Sequence, residues 1–467
     1  MLSSKLSNAI YWTSAGILVC LVVAAICVSR VNIDLVLGAT LGSAALVAAL
    51  VAFVSPYFRL LVYVGGALLV MQSDSQGLGA LKPAYLAFII FAALAGALNT
   101  FRLPRTVLRA YRPIFGGSLL MVALIVVEAV LSISTGVDPA RVLRDATTYI
   151  MVAAAPFIAS AAAEKGGTKR ARRTAAIFTL AGAIGFAVYW LSARGIATLG
   201  IERLGMFSFV LAGCGFAIGL AYGLVRRNWL WISLGLLCFL SVLVTGTRTG
   251  LVMLAGLLGL VGSKRAHRVP PWRMVVGLGI VGLTLVFALP MIASALAPGD
   301  FLARRTAALG SVLSDGVSSD QSGAIRERAL AITLGLWSDN PIFGVGFGYL
   351  FPSPTPALPP SDFQLDSPAL ALAKFGAIGT CALIAVFVLF IQGISKFHTS
   401  SGVASEAQAA GLSLVFICLG LAVLGLPMED KGFALSFALI FYLLGSEALA
   451  DGIVNKREPA LEPASVS

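Results

Sequence analysis

Long apolar runs separated by short polar connections dominate the chain. A helix crossing the hydrocarbon layer needs about 20 mostly apolar residues. Runs of roughly that length recur near 9–28, 34–54, 57–72, 84–99, 114–134, 146–163, 174–193, 205–225, 229–245, 249–263, 274–297, 367–392, 408–426 and 432–450. The third, ninth and tenth are short, so the pattern predicts an all-α, polytopic membrane bundle of about 12–14 transmembrane helices. No internal repeat is visible and no linker splits the chain, which reads as one membrane domain over 1–467.

One connection is different. Residues 298–366 form a large loop with a Pro-rich stretch from Pro352 to Pro360, a composition that favours extended, irregular backbone. Upstream of it, Ile325, Ala329, Ile332 and Leu336 share one helical face, predicting an amphipathic helix near 324–338 that lies along the membrane surface or caps the bundle. Arg326 and Arg328 flank that stripe on opposite sides, and spacing alone leaves open which of them points inward.

Composition agrees with a membrane protein: 58% of the 467 residues are hydrophobic, 12% are charged, and the mean hydropathy is +0.94. Soluble domains carry roughly 25% charged residues, so a soluble enzyme is excluded. The net charge of +12 would suggest a nucleic-acid partner in a soluble protein. Here the basic residues collect at Arg102–Arg112, Lys165–Arg173, Arg226–Arg227 and Lys264–Arg273, in every second connection. Basic loops stay in the cytoplasm. Both termini are then expected there, and the long loop in the periplasm of a bacterial inner membrane. The basic excess falls on the cytoplasmic face, so it is an orientation signal and implies no nucleic acid. The N-terminus enters its first apolar run without a cleavage site and reads as a retained span. All six cysteines lie in apolar runs without metal-ligand spacing, which argues against a disulfide framework or a zinc site.

His267 and His398 fall in cytoplasmic loops, which removes histidine as a general base or metal ligand at the periplasmic face. That face carries arginines instead, whose planar forks match phosphate oxygens, although pairing with acids or lipid phosphates is the plainer reading of any single one. Arg248 sits in Thr245-Gly246-Thr247-Arg248-Thr249-Gly250, a turn between apolar spans, and is a functional candidate. Trp337 and Asn340-Pro341 precede Gly344, Gly346 and Gly348, whose alternation permits a closely approached backbone or simply a packed turn. Asp366-Ser367-Pro368 opens the next span, either as a helix cap or with Asp366 as a general base. Lys374 either reaches an anion or snorkels. Glu128, inside the fifth span, is a functional candidate or a partner of Arg141 or Arg144.

The Thr245–Gly250 turn, the later Arg326-x-Arg328, Trp337, the Asn-Pro-Ile-Phe-Gly-Val-Gly-Phe-Gly run and the closing Lys374-Phe375-Gly376-Ala377-Ile378-Gly379 together resemble the O-antigen ligase/polymerase superfamily. The resemblance covers about 245–380 at motif level. It implies a GT-C-like, metal-independent, inverting membrane glycosyltransferase without a cofactor. The implied donor is an undecaprenyl-pyrophosphate-linked oligosaccharide, and a flippase and a chain-length regulator are candidate partners beside membrane lipid. Pyrophosphate binding is carried over to Arg248 and to Arg326 or Arg328, with Arg194 and Lys374 as further candidates and Gly344, Gly346 and Gly348 positioning the loop. Ligases of the superfamily have a histidine where this chain has Asp366-Ser367. That departure favours a Wzy-type polymerase of O-antigen or exopolysaccharide with Asp366 as the catalytic residue. A ligase to lipid A-core, or a transporter or flippase of lipid-linked sugar, are the alternatives.

Overall fold

A computed structural model describes residues 55–71, 81–164, 167–192, 208–243, 248–262, 321–355, 360, 367–397 and 406–454. The chain divides into two compact units, Met1–Val62 and Tyr63–Ser467. Residues 55–62 of the first are described, and they open helix α1, Pro56–Val70. In the second unit come α2 (Leu81–Thr100), α3 (Arg105–Ser134), α4 (Pro139–Ala162), α5 (Thr168–Ser192), α6 (Phe209–Arg226) and α7 (Trp229–Leu243). A 3₁₀ segment, Arg248–Ala255, leads into α8 (Gly256–Gly262). Then follow α9 (Gln321–Asp339), α10 (Leu370–Lys396), α11 (Glu406–Ala422), a 3₁₀ turn at Pro427–Glu429 and α12 (Lys431–Val454).

Among the described residues no strand forms, and six helical segments are long and apolar enough to cross a membrane: Lys82–Thr100, Arg105–Ser134, Pro139–Ala162, Thr168–Val188, Leu370–Lys396 and Lys431–Ala450. The chain is a polytopic helical membrane protein. The expected runs at 9–28, 34–54 and 274–297 lie outside the described residues.

Helix ends follow local chemistry. Asp138 caps α4 by accepting from Ala140 N at 3.0 Å, with proline at the first helical position where no donor is missed. Ser208 caps α6 through Leu211 N at 3.1 Å. Helix α3 starts well before the predicted apolar run and takes in Arg105, Arg109 and Arg112. Hydropathy marks where hydrocarbon begins, whereas helical hydrogen bonding continues through residues such as arginine that are good helix formers. The run predicted at 249–263 is shorter and tighter than a full span, with the 3₁₀ segment giving way to the short α8. Its glycines allow close contact with α11, where a Cβ on Gly259 would come 2.5 Å from Leu412 O.

The core forms around α12 and α4, the two spans with the most buried surface. Phe437 and Phe441 on α12 pack on Phe390 of α10, Phe441 face to edge and Phe437 tilted, and Phe433, Phe437 and Phe441 stack in tilted succession along α12. Two buried polar clusters lie at opposite ends of these helices. At one, Glu447 on α12 accepts from Tyr222 OH at 2.6 Å, Arg172 Nη2 at 3.3 Å and Ala407 N at 3.3 Å, with Arg226 on Glu406 beside it. This network ties α5, α6, α11 and α12 at the end that carries the basic connections. The other cluster is built on α3, α4, α10 and the residues before α12.

Candidate active site

The second cluster starts from a break in a helix. Gly376 inside α10 has φ 59° and ψ −165°, a conformation that glycine alone adopts readily. In a straight helix Ala377 N would donate to Ala373 O, and Ile378 N to Lys374 O. The kink frees both pairs. The segment after α9 takes all four groups: Val345 N donates to Ala373 O at 2.9 Å and Gly346 N to Lys374 O at 2.8 Å, while Ala377 N donates to Pro341 O at 2.9 Å and Ile378 N to Ile342 O at 3.2 Å. Two helical bonds are thus exchanged for four bonds between the turn and α10, and none of these four α10 groups is stranded.

The turn follows this path because Gly344, Gly346 and Gly348 have φ 68°, 74° and 75°. Space is short as well as conformation: a Cβ on Gly344 would lie 2.5 Å from Lys374 O, and one on Gly346 2.4 Å from Ser132 Oγ. Helix α9 is held against the same part of α10. Ala329, Ile332 and Leu336 pack with Phe351, Leu370 and Ala373, and Thr333 Oγ1 and Ser367 Oγ share a hydrogen bond of 2.7 Å. The predicted apolar stripe therefore faces the bundle at Ala329, Ile332 and Leu336.

Lys374 lies at the centre of the cluster and is 3% exposed. Its Nζ donates to Asp145 Oδ1 at 2.5 Å and to Glu429 Oε1 at 2.6 Å. Asp145 Oδ2 accepts from Gly348 N at 2.8 Å, and Glu429 Oε1 also accepts from Tyr149 OH at 2.9 Å. The rings of Tyr149, Phe347 and Phe375 surround the ammonium with centroids 5.5, 5.6 and 5.7 Å away, within the range of cation–π attraction. Two carboxylates and three ring faces meet the large desolvation cost of burying this cation.

Glu128 on α3 adds a third carboxyl close to the lysine. It is buried, and its Oε2 has no hydrogen-bond partner among the described residues; Ser132 Oγ, one turn on, is in the same state. Both atoms lie near Gly346, at 3.8 Å and 2.4 Å from where a Cβ would be. Glu128 therefore faces the turn, and no ion pair joins it to Arg141 or Arg144. Among the described residues no three His, Cys, Asp or Glu groups are arranged to hold a metal ion.

The structure thus brings Gly344, Gly346, Gly348 and Lys374 into one constellation. Arg326 on α9 is partly buried, with its Nε lacking a hydrogen-bond partner among the described residues, and Arg328 is exposed. Arg248 opens the 3₁₀ segment, and only its backbone is described. Arg194 and Asp366 lie outside the described residues. Ser367 accepts from Ala369 N at 3.2 Å, a cap-like bond just before α10. Asp145, Tyr149 and Glu429 were not singled out from sequence. The sequence signal is an acid beside two arginines at the edge of an apolar run (Asp145 after Arg141 and Arg144) and an acidic pair between two runs (Glu429-Asp430).

Residues 233–370 match the family model described as O-antigen ligase. No curated protein matches the chain. The matched segment runs from α7 to the start of α10 and contains Arg248, Arg326, Arg328 and the glycine turn. It supports placement in the O-antigen ligase/polymerase superfamily, and with the spans it supports a multi-pass bacterial membrane protein.

Proposed function

We propose that the chain is a polysaccharide polymerase that transfers an undecaprenyl-pyrophosphate-linked glycan to the next lipid-linked repeat unit at the periplasmic face of the inner membrane. The family match over 233–370, which includes the turn docked on α10 and the arginine-bearing α9 packed beside it, supports glycan transfer, and the observation that carries the choice of polymerase is Asp366-Ser367 where ligases have histidine. In the proposed reaction the acceptor hydroxyl attacks the anomeric carbon as the bond to the pyrophosphate oxygen breaks, inverting the centre. The hydroxyl proton passes to Asp366, and the electron pair leaves with the pyrophosphate. Arg248 and Arg326, with Arg328 and Arg194 as further contributors, stabilise the charge growing on the leaving group. Fixed donors in a partly dehydrated site are worth far more than in water, so guanidinium groups could take the place of a divalent ion. A flippase supplying the lipid-linked units and a chain-length regulator are the proposed partners.

A ligase to lipid A-core is the second reading, favoured by the description of the matching family and opposed by Asp366-Ser367 where ligases have histidine. Proteoliposomes given lipid-linked repeat units alone separate the two. Elongated lipid-linked glycan supports the polymerase; product formed only when lipid A-core is added replaces it with the ligase. Movement of lipid-linked sugar across the bilayer with no new glycosidic bond replaces both with a transporter.

A further inference from the structure

Lys374 was expected among the anion-binding residues, yet its surroundings give it another task. Among the described residues its ammonium is closed in by Asp145, Glu429 and three aromatic rings, so a phosphate approaching it would compete with two carboxylates already in place. Those contacts lead back to the glycine turn. The Lys374 carbonyl accepts from Gly346 N, and Asp145, fixed by the Lys374 ammonium, accepts from Gly348 N. One residue therefore holds the turn at two points, once through its backbone and once through its side chain. On the far side of Asn340 and Pro341 the turn continues directly into α9, which carries Arg326 and Arg328.

We infer that Lys374 is a positioning residue for glycan transfer: through Asp145, which bonds Gly348 N, and through Glu429 and Tyr149, whose ring packs on Phe347, it keeps the glycine turn, and with it the arginines of α9, in register with α10, and it does not itself bind the pyrophosphate. The inference rests on the reaction proposed above, and the experiment keeps the two separable.

Wild type, K374M, E429Q and the K374M/E429Q double variant are reconstituted in proteoliposomes. Three quantities are measured: transfer rate against lipid-linked donor concentration, donor binding, and amide exchange of the peptide covering 341–348. A catalytic geometry displaced by about 1 Å loses on the order of a hundredfold in rate. K374M is therefore expected to lose about that much kcat while KM and donor affinity stay within about threefold, with protection of the turn falling about tenfold. Removing one member of a buried ion pair leaves an uncompensated charge, whereas neutralising both members is far milder. Without the ammonium both Asp145 and Glu429 are uncompensated, and E429Q removes one of those two charges, so the double variant should regain part of the loss, about threefold in kcat, with partial recovery of protection. Should K374M fail to fold, E429Q, which leaves the ammonium on Asp145, is expected to show the same split in smaller measure. A raised KM with unchanged exchange and no recovery in the double variant would overturn the inference and make Lys374 an anion ligand. If wild type transfers no glycan, the reaction reading falls by itself. Exchange then decides alone, and unchanged protection in K374M overturns the positioning role.

Discussion

Gly376→Ala is the sharpest test of the broken helix. The added methyl would lie 2.2 Å from Ile342 O, 2.3 Å from Ile342 C and 2.5 Å from Phe343 N, all backbone atoms that cannot rotate away. The chain has two ways to respond. Keeping the kink places alanine in a conformation reserved for glycine, at about 1–3 kcal/mol, and pushes the turn off α10. Straightening the helix restores two bonds but gives up four to the turn, a net loss of two at about 0.5–1.5 kcal/mol each, and leaves the polar groups of Pro341 to Gly346 unpaired. On these terms either route costs about 1–3 kcal/mol, with the backbone clash adding to the first and the unpaired groups of the turn to the second. The measurement is amide exchange across 341–348, together with chemical unfolding in detergent and transfer activity. Gly335→Ala on α9 is the control, since nothing lies within 4 Å of its added methyl. It should be neutral or stabilising by up to about 1 kcal/mol from helix propensity. A Gly376→Ala protein with wild-type exchange at the turn and full activity would refute the exchange of bonds as the reason for glycine here.

Other outcomes follow from the same geometry. Tyr149→Phe removes the hydroxyl from Glu429 with little change in shape and should cost roughly 1.5–3 kcal/mol, as for other hydrogen bonds to charged groups, read by chemical unfolding. On the proposed reaction, Arg326→Ala should lower kcat by about 10²–10³, the loss typical of one donor to developing charge; a change confined to protein level would remove it from the site. Asp366→Asn should abolish polymer at unchanged protein abundance, and full activity would remove Asp366 from the mechanism.

Among the described residues hydropathy located the helices well, because a membrane segment and an apolar run are nearly the same thing. It missed the start of α3, where arginines continue the helix, and the tight 3₁₀ course after Arg248. The glycine turn was legible as three alternating glycines behind Asn340-Pro341. Its docking place was not, since Gly376 reads equally well as an ordinary glycine at the entry of a span. The charge cluster was the hardest to see. Lys374 stood out as a cation in an apolar run, but Asp145 is 229 positions away in sequence and Glu429 is 55. No local pattern relates residues that only helix packing brings together. Glu128 was visible as a buried acid, whereas its lack of a hydrogen-bond partner beside Ser132 is a property of the packed structure alone.

The four backbone bonds between the turn and α10 also bear on assembly. The turn is synthesised before Ala373–Ile378, so when α10 is made it can first close its own two bonds and stand as an unbroken helix. Moving from that arrangement to the docked one replaces every partner of the four α10 groups. In surroundings poor in water, leaving them all open at once would cost several kcal/mol per group, so the old bonds and the new ones must change places together. The four α10 groups are thus satisfied in either arrangement, with a barrier between the two, whereas the groups of the turn find these partners only in the docked one. Residue 376 weights that choice: glycine favours the docked form, and any side chain there favours the continuous helix.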